Sequence, residues 1–159
     1  MPFWWYKDIW KWHSSILIWI LLIEVAVEFV TCLRLIEVRI PNHTVRDQSA
    51  RLECHYDLDG EALYSVKWYK DGNEFYRFVP MEEEPVQIFD LPGVNVDLEN
   101  STENSVVLSS VSLQSSGRYR CEVSAEAPSF QTVTDHGDMV VVDYKPMPKC
   151  LGENDLPGI

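Results

Sequence analysis

Basic residues are scarce in this sequence. Its 159 residues include 13 Lys and Arg against 25 Asp and Glu, so the formal net charge is −12. Binding to a nucleic-acid backbone needs clustered positive charge, and the scarcity argues against it. The same imbalance argues against docking on an anionic membrane. The hydrophobic fraction of 46% is ordinary for a globular chain and excludes global disorder.

An apolar run long enough to cross a membrane is also absent. The longest run, Ile16–Ile23, has eight residues, whereas a transmembrane helix needs about 20. Two lysines precede the run, and Glu24 and Glu28 follow it. A basic segment, a short apolar run and small residues near a cleavage point are typical of a secretory signal peptide. We therefore predict a signal peptide over residues 1–32, cleaved before Leu33; an uncleaved signal anchor is the alternative.

Signatures of catalysis and of metal binding are missing as well. The sequence contains no G-x-S-x-G motif, no C-x-x-C motif and no metal-binding pair of histidines. The acidic residues Asp57, Asp59 and Glu82–Glu84 lack the spacing of a calcium loop. We predict that the protein is not an enzyme. No catalytic residue, metal site, cofactor or small-molecule substrate is expected.

Cysteines are few, and secretion would expose them to an oxidising compartment in which pairing is the default. Cys32 falls at the predicted cleavage point, and Cys150 is left over in a proline-rich tail. Cys54 and Cys121 each lie in a strand-like stretch, 67 residues apart. A bridge over such a loop stabilises a protein by about 4 kcal/mol. Zinc is the weaker alternative, because His55 beside Cys54 points to the opposite face of a strand.

Helical periodicity is absent beyond residue 33, and short β-rich runs separated by turn signals take its place. We predict strands over 33–40, 50–56, 64–70, 74–79, 87–89, 94–98, 106–111, 117–125 and 139–143. Asp71-Gly72, between two of these runs, is typical of a tight hairpin. The pattern predicts an all-β sandwich over residues 33–143. A linker-like or disordered tail over residues 144–159 follows.

Four residues at characteristic spacings indicate the type of sandwich. Trp68, the only tryptophan beyond residue 20, follows Cys54 by 14 positions, and Tyr119 precedes Cys121 by two. Such spacings predict a Cys54–Cys121 disulfide between two sheets, with Trp68 packed on it and the Tyr119 hydroxyl bonded to nearby backbone. The length between Trp68 and Val106 leaves room for two extra strands. The chain thus resembles an immunoglobulin V-type domain.

One position departs from the immunoglobulin pattern. Where D-x-G-x-Y-x-C is usual, this sequence reads SSGRYRC from Ser115 to Cys121. Ser115 replaces an acid that commonly pairs with an arginine near the start of an earlier strand. We predict that this salt bridge is missing. A surface ion pair contributes at most about 1 kcal/mol, so the predicted fold does not depend on it.

Four longer stretches carry a more specific resemblance. They are LRLIEVRIP (33–41), LYSVKWYKDGNEFYRFVP (63–80), LPGVNVDL (91–98) and SGRYRCEVSAEAPSFQTV (116–133). They are similar to the first immunoglobulin domain of the Beaten path family of arthropod neural proteins. The resemblance implies a role in axon guidance, cell adhesion and synaptic partner choice, with immunoglobulin-type receptors of the Sidestep family as partners. It also implies a second immunoglobulin domain, which this sequence does not contain; a truncated soluble decoy or fragment is therefore an alternative.

Strand alternation and the resemblance together indicate a partner-binding face. Alternation places two side chains outward on the strand of Trp68 and four on the strand of Cys121, at Arg118, Arg120, Glu122 and Ser124. The run FYRF (75–78) has aromatic rings on both faces of its strand, so at least one ring should lie outside the core. Exposed Tyr, Phe and Arg are enriched at interface hot spots. Six residues are predicted to contact the partner: Lys67, Tyr69, Phe75, Arg120, Glu122 and Phe130. The alternatives are that they only cover the sheet, or that the face supports homophilic adhesion or a weak homodimer.

Two N-glycosylation sequons complete the sequence features. They begin at Asn42 and Asn100, and behind a signal peptide each is an acceptor for an N-linked glycan. Both are predicted to lie away from the centre of the binding face. We expect the protein to be secreted or to lie on the extracellular face of the plasma membrane.

Overall fold

A computed structural model describes residues 32–144 of the chain. The predicted signal peptide, apart from Cys32, and the tail from residue 145, with Cys150, lie outside the described residues. Cys32 is a free, exposed cysteine. Leu33, the predicted first residue after cleavage, is buried in the core.

Residues 32–144 form ten strands and one short 3-10 turn. The strands are β1 (Arg34–Arg39), β2 (His43–Val45), β3 (Ala50–Asp57), β4 (Leu63–Lys70), β5 (Asn73–Phe78), β6 (Val86–Ile88), β7 (Val96–Thr102), β8 (Ser105–Leu108), β9 (Gly117–Ala125) and β10 (Thr132–Val142). The 3-10 turn covers Leu113–Ser115. Within this part of the chain, no helical segment has the length and apolar character that crossing a membrane requires.

The strands assemble into two sheets, which confirms the predicted all-β sandwich. One sheet has the order β1-β3-β8-β7, and the other has the order β2-β10-β9-β4-β5-β6. Neighbouring strands run antiparallel except β2 and β10, which pair parallel. The strands β5 and β6 extend one edge of the larger sheet. They are the two extra strands expected between Trp68 and Val106.

The core lies between the two sheets because apolar residues alternate along the central strands. In β9 every second side chain, beginning at Tyr119, is buried. Val66 and Trp68 are fully buried in β4, as is Leu52 in β3. Full burial of a valine or leucine side chain stabilises the folded state by about 1.5–3 kcal/mol. The alternation therefore fixes which face of each central strand turns inward.

A disulfide joins Cys54 of β3 to Cys121 of β9 and so links the two sheets, as predicted. The two Cα atoms lie 6.3 Å apart, within the normal range for a disulfide. Trp68 is fully buried and lies beside Cys121 in the β4–β9 register. The Tyr119 hydroxyl donates a 2.6 Å hydrogen bond to the carbonyl oxygen of Ser115.

Two differences from the predicted strands affect the edge of the larger sheet. The three-residue strand β2 was not predicted, because it is too short to show alternation. β10 begins seven residues before the predicted run 139–143 and ends one residue before the end of that run. Its first half, TVTDHGD, exposes most of its side chains and so lacks an apolar signal.

Candidate functional site: the outer face of the six-stranded sheet

Glu122 is the centre of a polar cluster on the outer face of the six-stranded sheet. Its Oε1 atom lies 3.4 Å from the Lys67 ammonium and accepts a hydrogen bond of 3.2 Å from the Tyr69 hydroxyl. Its Oε2 atom lies 3.8 Å from the guanidinium of Arg120. All four side chains are half-buried, so the cluster is ordered yet reachable from solvent. We call these four residues the Glu122 cluster.

The register of β4 against β9 brings these residues together. Lys67 lies directly opposite Glu122, and Tyr69 lies directly opposite Arg120. Cross-strand neighbours have Cβ atoms about 4.5–5.5 Å apart, and an oppositely charged pair contributes about 0.2–1 kcal/mol. The inward-facing Trp68 and Cys121 lie between these pairs. The buried core residues therefore hold the outward side chains in place.

Arg120 also stacks on an aromatic ring. Its guanidinium carbon lies 4.3 Å from the centre of the Tyr69 ring, a cation–π contact. Burial raises the pKa of the Tyr69 hydroxyl, and the negative charges of Glu122 and Glu74 raise it further. Tyr69 therefore stays neutral and keeps its proton for the hydrogen bond to Glu122.

A second cation and ring lie next to the Glu122 cluster and were not among the predicted site residues. Arg77 of β5 is opposite Lys67 and makes two hydrogen bonds, 2.6 and 3.0 Å long, to the Glu74 carboxylate. Its guanidinium carbon also lies 5.5 Å from the centre of the Phe89 ring. Alternation along β5 would have placed Arg77 outward. Phe89 is the last residue of the predicted strand 87–89 and directly follows β6, a run too short to show on which face its ring lies.

The prediction that Phe75 belongs to the exposed face is wrong. Phe75 and Tyr76 are both fully buried. The β4–β5 register shifts here, since Trp68 lies opposite Tyr76 and the next residue, Tyr69, lies opposite Glu74. Phe75 is thus an extra residue in a β-bulge, which interrupts the alternation. Its ring packs edge to face against Tyr119 in the core, with ring centres 5.9 Å apart.

Phe130 is exposed, but it lies beyond the strands. Its relative exposure is 73%, and it occupies the loop between β9 and β10 with a φ of 51°. Its backbone N–H donates to the carbonyl of Glu126. Tyr64, a large exposed ring that the sequence did not single out, lies at a register shift near the start of β4. Both rings are thus placed by loop or bulge geometry rather than by regular alternation.

The two sequons lie at strands on the edges of the sheets. Asn42 is exposed and directly precedes β2, the edge strand of the six-stranded sheet. Asn100 is exposed in β7, the edge strand of the other sheet. Since β10 separates β2 from β9, Asn42 is on the sheet that carries the Glu122 cluster but at its margin. Glycosylation of either residue remains a prediction.

Ser115 makes hydrogen bonds at the position where an acid is usual. It is fully buried, and its hydroxyl donates a 2.6 Å bond to the carbonyl of Gly93 while accepting a 2.8 Å bond from the N–H of Ser112. The sequence between Arg77 and Arg118 contains no Lys or Arg. The neutral hydrogen bond from Ser115 to Gly93, rather than an ion pair, thus links the segment before β9 to the segment before β7.

In residues 32–144, no group of three or more His, Cys, Asp or Glu side chains is arranged to hold a metal ion.

The immunoglobulin domain family matches residues 35–135, and the chain belongs to this family. Among the curated proteins no match to the sequence is found.

Solved structures share the fold at low sequence identity. A marsupial T cell receptor has 14% identity and a TM-score of 0.52, covering 72% of this chain and 55% of its own. A mouse coronavirus receptor-binding domain complexed with its murine receptor includes a chain with 19% identity and a TM-score of 0.53, covering 67% and 54%. Domain 1 of VCBP3 from Branchiostoma floridae has 16% identity and a TM-score of 0.50, covering 68% and 96%. These similarities establish a common fold.

Proposed function

We propose that this chain is an extracellular recognition module that binds another protein through the outer face of its six-stranded sheet. The Glu122 cluster is the observation that carries the proposal. It places an aromatic ring and two cations side by side on the central strands β4 and β9. Tyr and Arg are the residue types that dominate binding energy at protein interfaces.

The cluster is suited to binding because its side chains are already ordered. Arg120 is held between the Tyr69 ring and Glu122, and Lys67 is held by Glu122. Immobilising a flexible side chain on binding costs about 0.5–1.5 kcal/mol. Side chains that are fixed before the partner arrives avoid part of that cost.

Immunoglobulin-type receptors of the Sidestep family are the proposed partners. The resemblance of four stretches to the Beaten path family supports this choice, and two of those stretches contain β4 and β9. The proposal includes a role in axon guidance, cell adhesion and synaptic partner choice, and a location outside the cell.

Binding to a different protein is favoured over homophilic adhesion by the overall charge. Residues 32–144 contain nine Lys and Arg and 20 Asp and Glu. Two copies would each carry a large negative charge, and like charges disfavour close approach. A partner with a less acidic surface would not meet this repulsion.

Surface plasmon resonance against Sidestep-type ectodomains tests the proposal. Tyr69→Ala should weaken binding about thirtyfold, the effect of losing about 2 kcal/mol at a hot spot. Arg120→Glu should slow association and change its dependence on salt. Arg51→Glu is the matched control, because it makes the same charge reversal on the four-stranded sheet.

The face is wrongly assigned if Tyr69→Ala and Arg120→Glu bind like the wild type while Arg51→Glu abolishes binding. Circular dichroism of each variant shows whether the fold is intact. Sedimentation of the wild type alone tests the homophilic alternative, which predicts a dimer that Arg120→Glu alters.

A further inference from the structure

The hydroxyls of the two sequon threonines have different surroundings. In the second sequon, Thr102 Oγ1 lies 3.2 Å from Ser105 Oγ, within hydrogen-bonding distance. The amide of Asn100 donates a 2.8 Å bond to Asp97. In the first sequon, Thr44 Oγ1 is buried and has no hydrogen-bond partner. The local structure therefore accounts for the polar groups of the second sequon, but not for the hydroxyl of Thr44.

A buried hydroxyl without a partner destabilises the fold. Thr44 lies in β2 directly opposite Val141, whose side chain is buried in the core. Valine has nearly the same shape as threonine and would leave no polar atom without a partner at this position. The hydroxyl is nevertheless one of the features that make Asn42-His43-Thr44 a glycosylation sequon. Packing alone does not explain why position 44 is a threonine rather than a valine. Glycosylation of Asn42 does explain it, because the sequon requires the hydroxyl.

Asn42 lies in a position that a glycan can occupy. Its residue is exposed at the bend immediately before β2. Its carbonyl oxygen accepts a 3.0 Å hydrogen bond from the N–H of Val140, which fixes its backbone against β10. A glycan attached here would start at the outer edge of β2.

The edge at β2 is less protected than the edges of the other sheet. β2 pairs only with β10, so its other side is unpaired. Exposed strand edges promote pairing with other chains, and charged side chains commonly prevent it. β1 and β7 both carry charged residues, whereas β2 reads HTV. β2 itself therefore lacks this common protection, and the first charged side chains on this edge follow it at Arg46 and Asp47.

Exposed valines surround the same edge. Val45, Val140 and Val142 have relative exposures of 39%, 47% and 41%. Val45 lies opposite Val142 in the β2–β10 register, and His43 lies opposite Val140. The three valines thus form an apolar patch beside an unpaired strand edge. Such a combination favours self-association unless something covers it.

We propose that Asn42 carries an N-linked glycan that covers the β2 edge and the patch of Val45, Val140 and Val142. The glycan keeps this edge from pairing with another copy. The inference rests on the extracellular location in the proposed function, because only chains that enter the secretory pathway meet the N-glycosylation machinery.

The test uses the full chain produced in eukaryotic secretory cells, once with its own first 32 residues and once with a different secretion leader. Glycopeptide mass spectrometry reports occupancy at Asn42. Asn42→Gln and Thr44→Val each delete the sequon, Thr44→Ser retains it, and Asn100→Gln is the control at the other sequon. Size-exclusion chromatography and light scattering report the oligomeric state.

We expect a glycan on Asn42 in the wild type and in Thr44→Ser, and none in the two deleted variants. The deleted variants should form larger species at increasing concentration, while Asn100→Gln stays monomeric. Thr44→Val should melt about 4 °C above Asn42→Gln, because no buried hydroxyl remains. That higher melting temperature would also show that its self-association does not come from misfolding.

An unmodified Asn42 in wild-type protein recovered from the medium would overturn the assignment of the site. Monomeric Asn42→Gln and Thr44→Val would overturn the shielding. The chain could instead be secreted only with the different leader and carry a glycan on Asn42 there. That result would contradict the proposed extracellular location, but it would leave the assignment of Asn42 as a glycosylation site unchanged.

Discussion

The carboxylate of Asp71 fills the space that a Cβ atom on Gly117 would need, with Oδ2 and Oδ1 lying 2.5 and 2.7 Å from that position. Asp71 belongs to the turn between β4 and β5, and Gly117 is the first residue of β9. Oδ1 accepts a 2.9 Å hydrogen bond from the N–H of Arg118, and Oδ2 pairs with the Lys70 ammonium at 2.6 Å. The close approach thus ties a hairpin turn to the start of a central strand.

Replacing Gly117 with alanine should destabilise the domain by about 3 kcal/mol. Its φ of 152° is rarely adopted by residues with a Cβ atom, and the new atom would also collide with Asp71. Gly72→Ala is the matched control, because Gly72 also has a positive φ but no neighbour within 4 Å of the added atom. Backbone strain alone should cost that variant about 1 kcal/mol. Urea unfolding measures both, and equal losses would show that Asp71 does not crowd the site.

Asp71→Asn should lower stability at neutral pH, with a loss that vanishes in acid. The hydrogen bond from Lys70, and then that from the Arg118 N–H, hold the pKa of Asp71 below its usual value. A depressed folded-state pKa stabilises the protein above the unfolded pKa, and this stability is lost as the pH falls through the folded pKa. The side chain is 49% exposed, so we expect a loss of only about 1 kcal/mol at pH 7.

Melting temperatures of the wild type and Asp71→Asn from pH 7 down to pH 2 measure this linkage. The two curves should converge at the acid end. A gap of constant size across the whole range would show that the charge of Asp71 has no part in stability.

Phe75→Ala should destabilise the domain by about 3–5 kcal/mol, the usual cost of removing a buried phenylalanine ring. The ring is fully buried and packs against Tyr119. Phe130→Ala is the control, since it removes the same ring from an exposed loop and should change stability by less than about 0.5 kcal/mol. Thermal or chemical unfolding distinguishes the two. Similar small effects for both would mean that Phe75 does not belong to the core.

Phe75 also shows that strand alternation predicts burial only where a strand is regular. Alternation correctly placed Val66, Trp68 and Tyr119 inward because β4 and β9 are regular at those positions. At Phe75 a bulge shifts the register, and nothing in the run FYRF marks the extra residue. The three-residue strand β2 was missed for a related reason, since its pairing with β10 depends on distant contacts.

The Glu122 cluster was predictable in membership but not in arrangement. The outward positions of Lys67, Tyr69, Arg120 and Glu122 follow from the alternation of their own strands. Their contacts depend on which residue of β4 lies opposite which residue of β9. That register is set by packing across the whole sandwich, so it cannot be predicted from the sequence of either strand alone.

Ser115→Asp should be more destabilising than Ser115→Ala, although an acid is usual at this position in immunoglobulin domains. The alanine loses the hydrogen bonds to Gly93 and from Ser112, at a cost of about 1–3 kcal/mol. An aspartate would bury a charge beside the Gly93 carbonyl, in a sequence that has no arginine or lysine between Arg77 and Arg118. Equilibrium unfolding of both variants ranks them. A more stable Ser115→Asp would mean that a cation reaches this site.

Glu122→Gln should lower the pKa of Tyr69, which tests the cluster without any partner. Burial raises that pKa most, so it should remain above the ordinary value for tyrosine. The negative charge of Glu122 and its bond to the hydroxyl also favour the protonated form, and the substitution removes the charge. Arg120, released from Glu122 but still stacked on the ring, would favour the tyrosinate further.

An NMR titration of tyrosine ring carbons measures the shift, with Tyr69→Phe to assign the signal. Glu53→Gln is the control, because it removes a carboxylate from β3 in the other sheet and should leave the Tyr69 titration unchanged. Equal pKa values for Tyr69 in the wild type and in Glu122→Gln would show that the two side chains do not meet in solution. The polar cluster would then lack its centre, and the binding face would have to be sought around Arg77 and Phe89 instead.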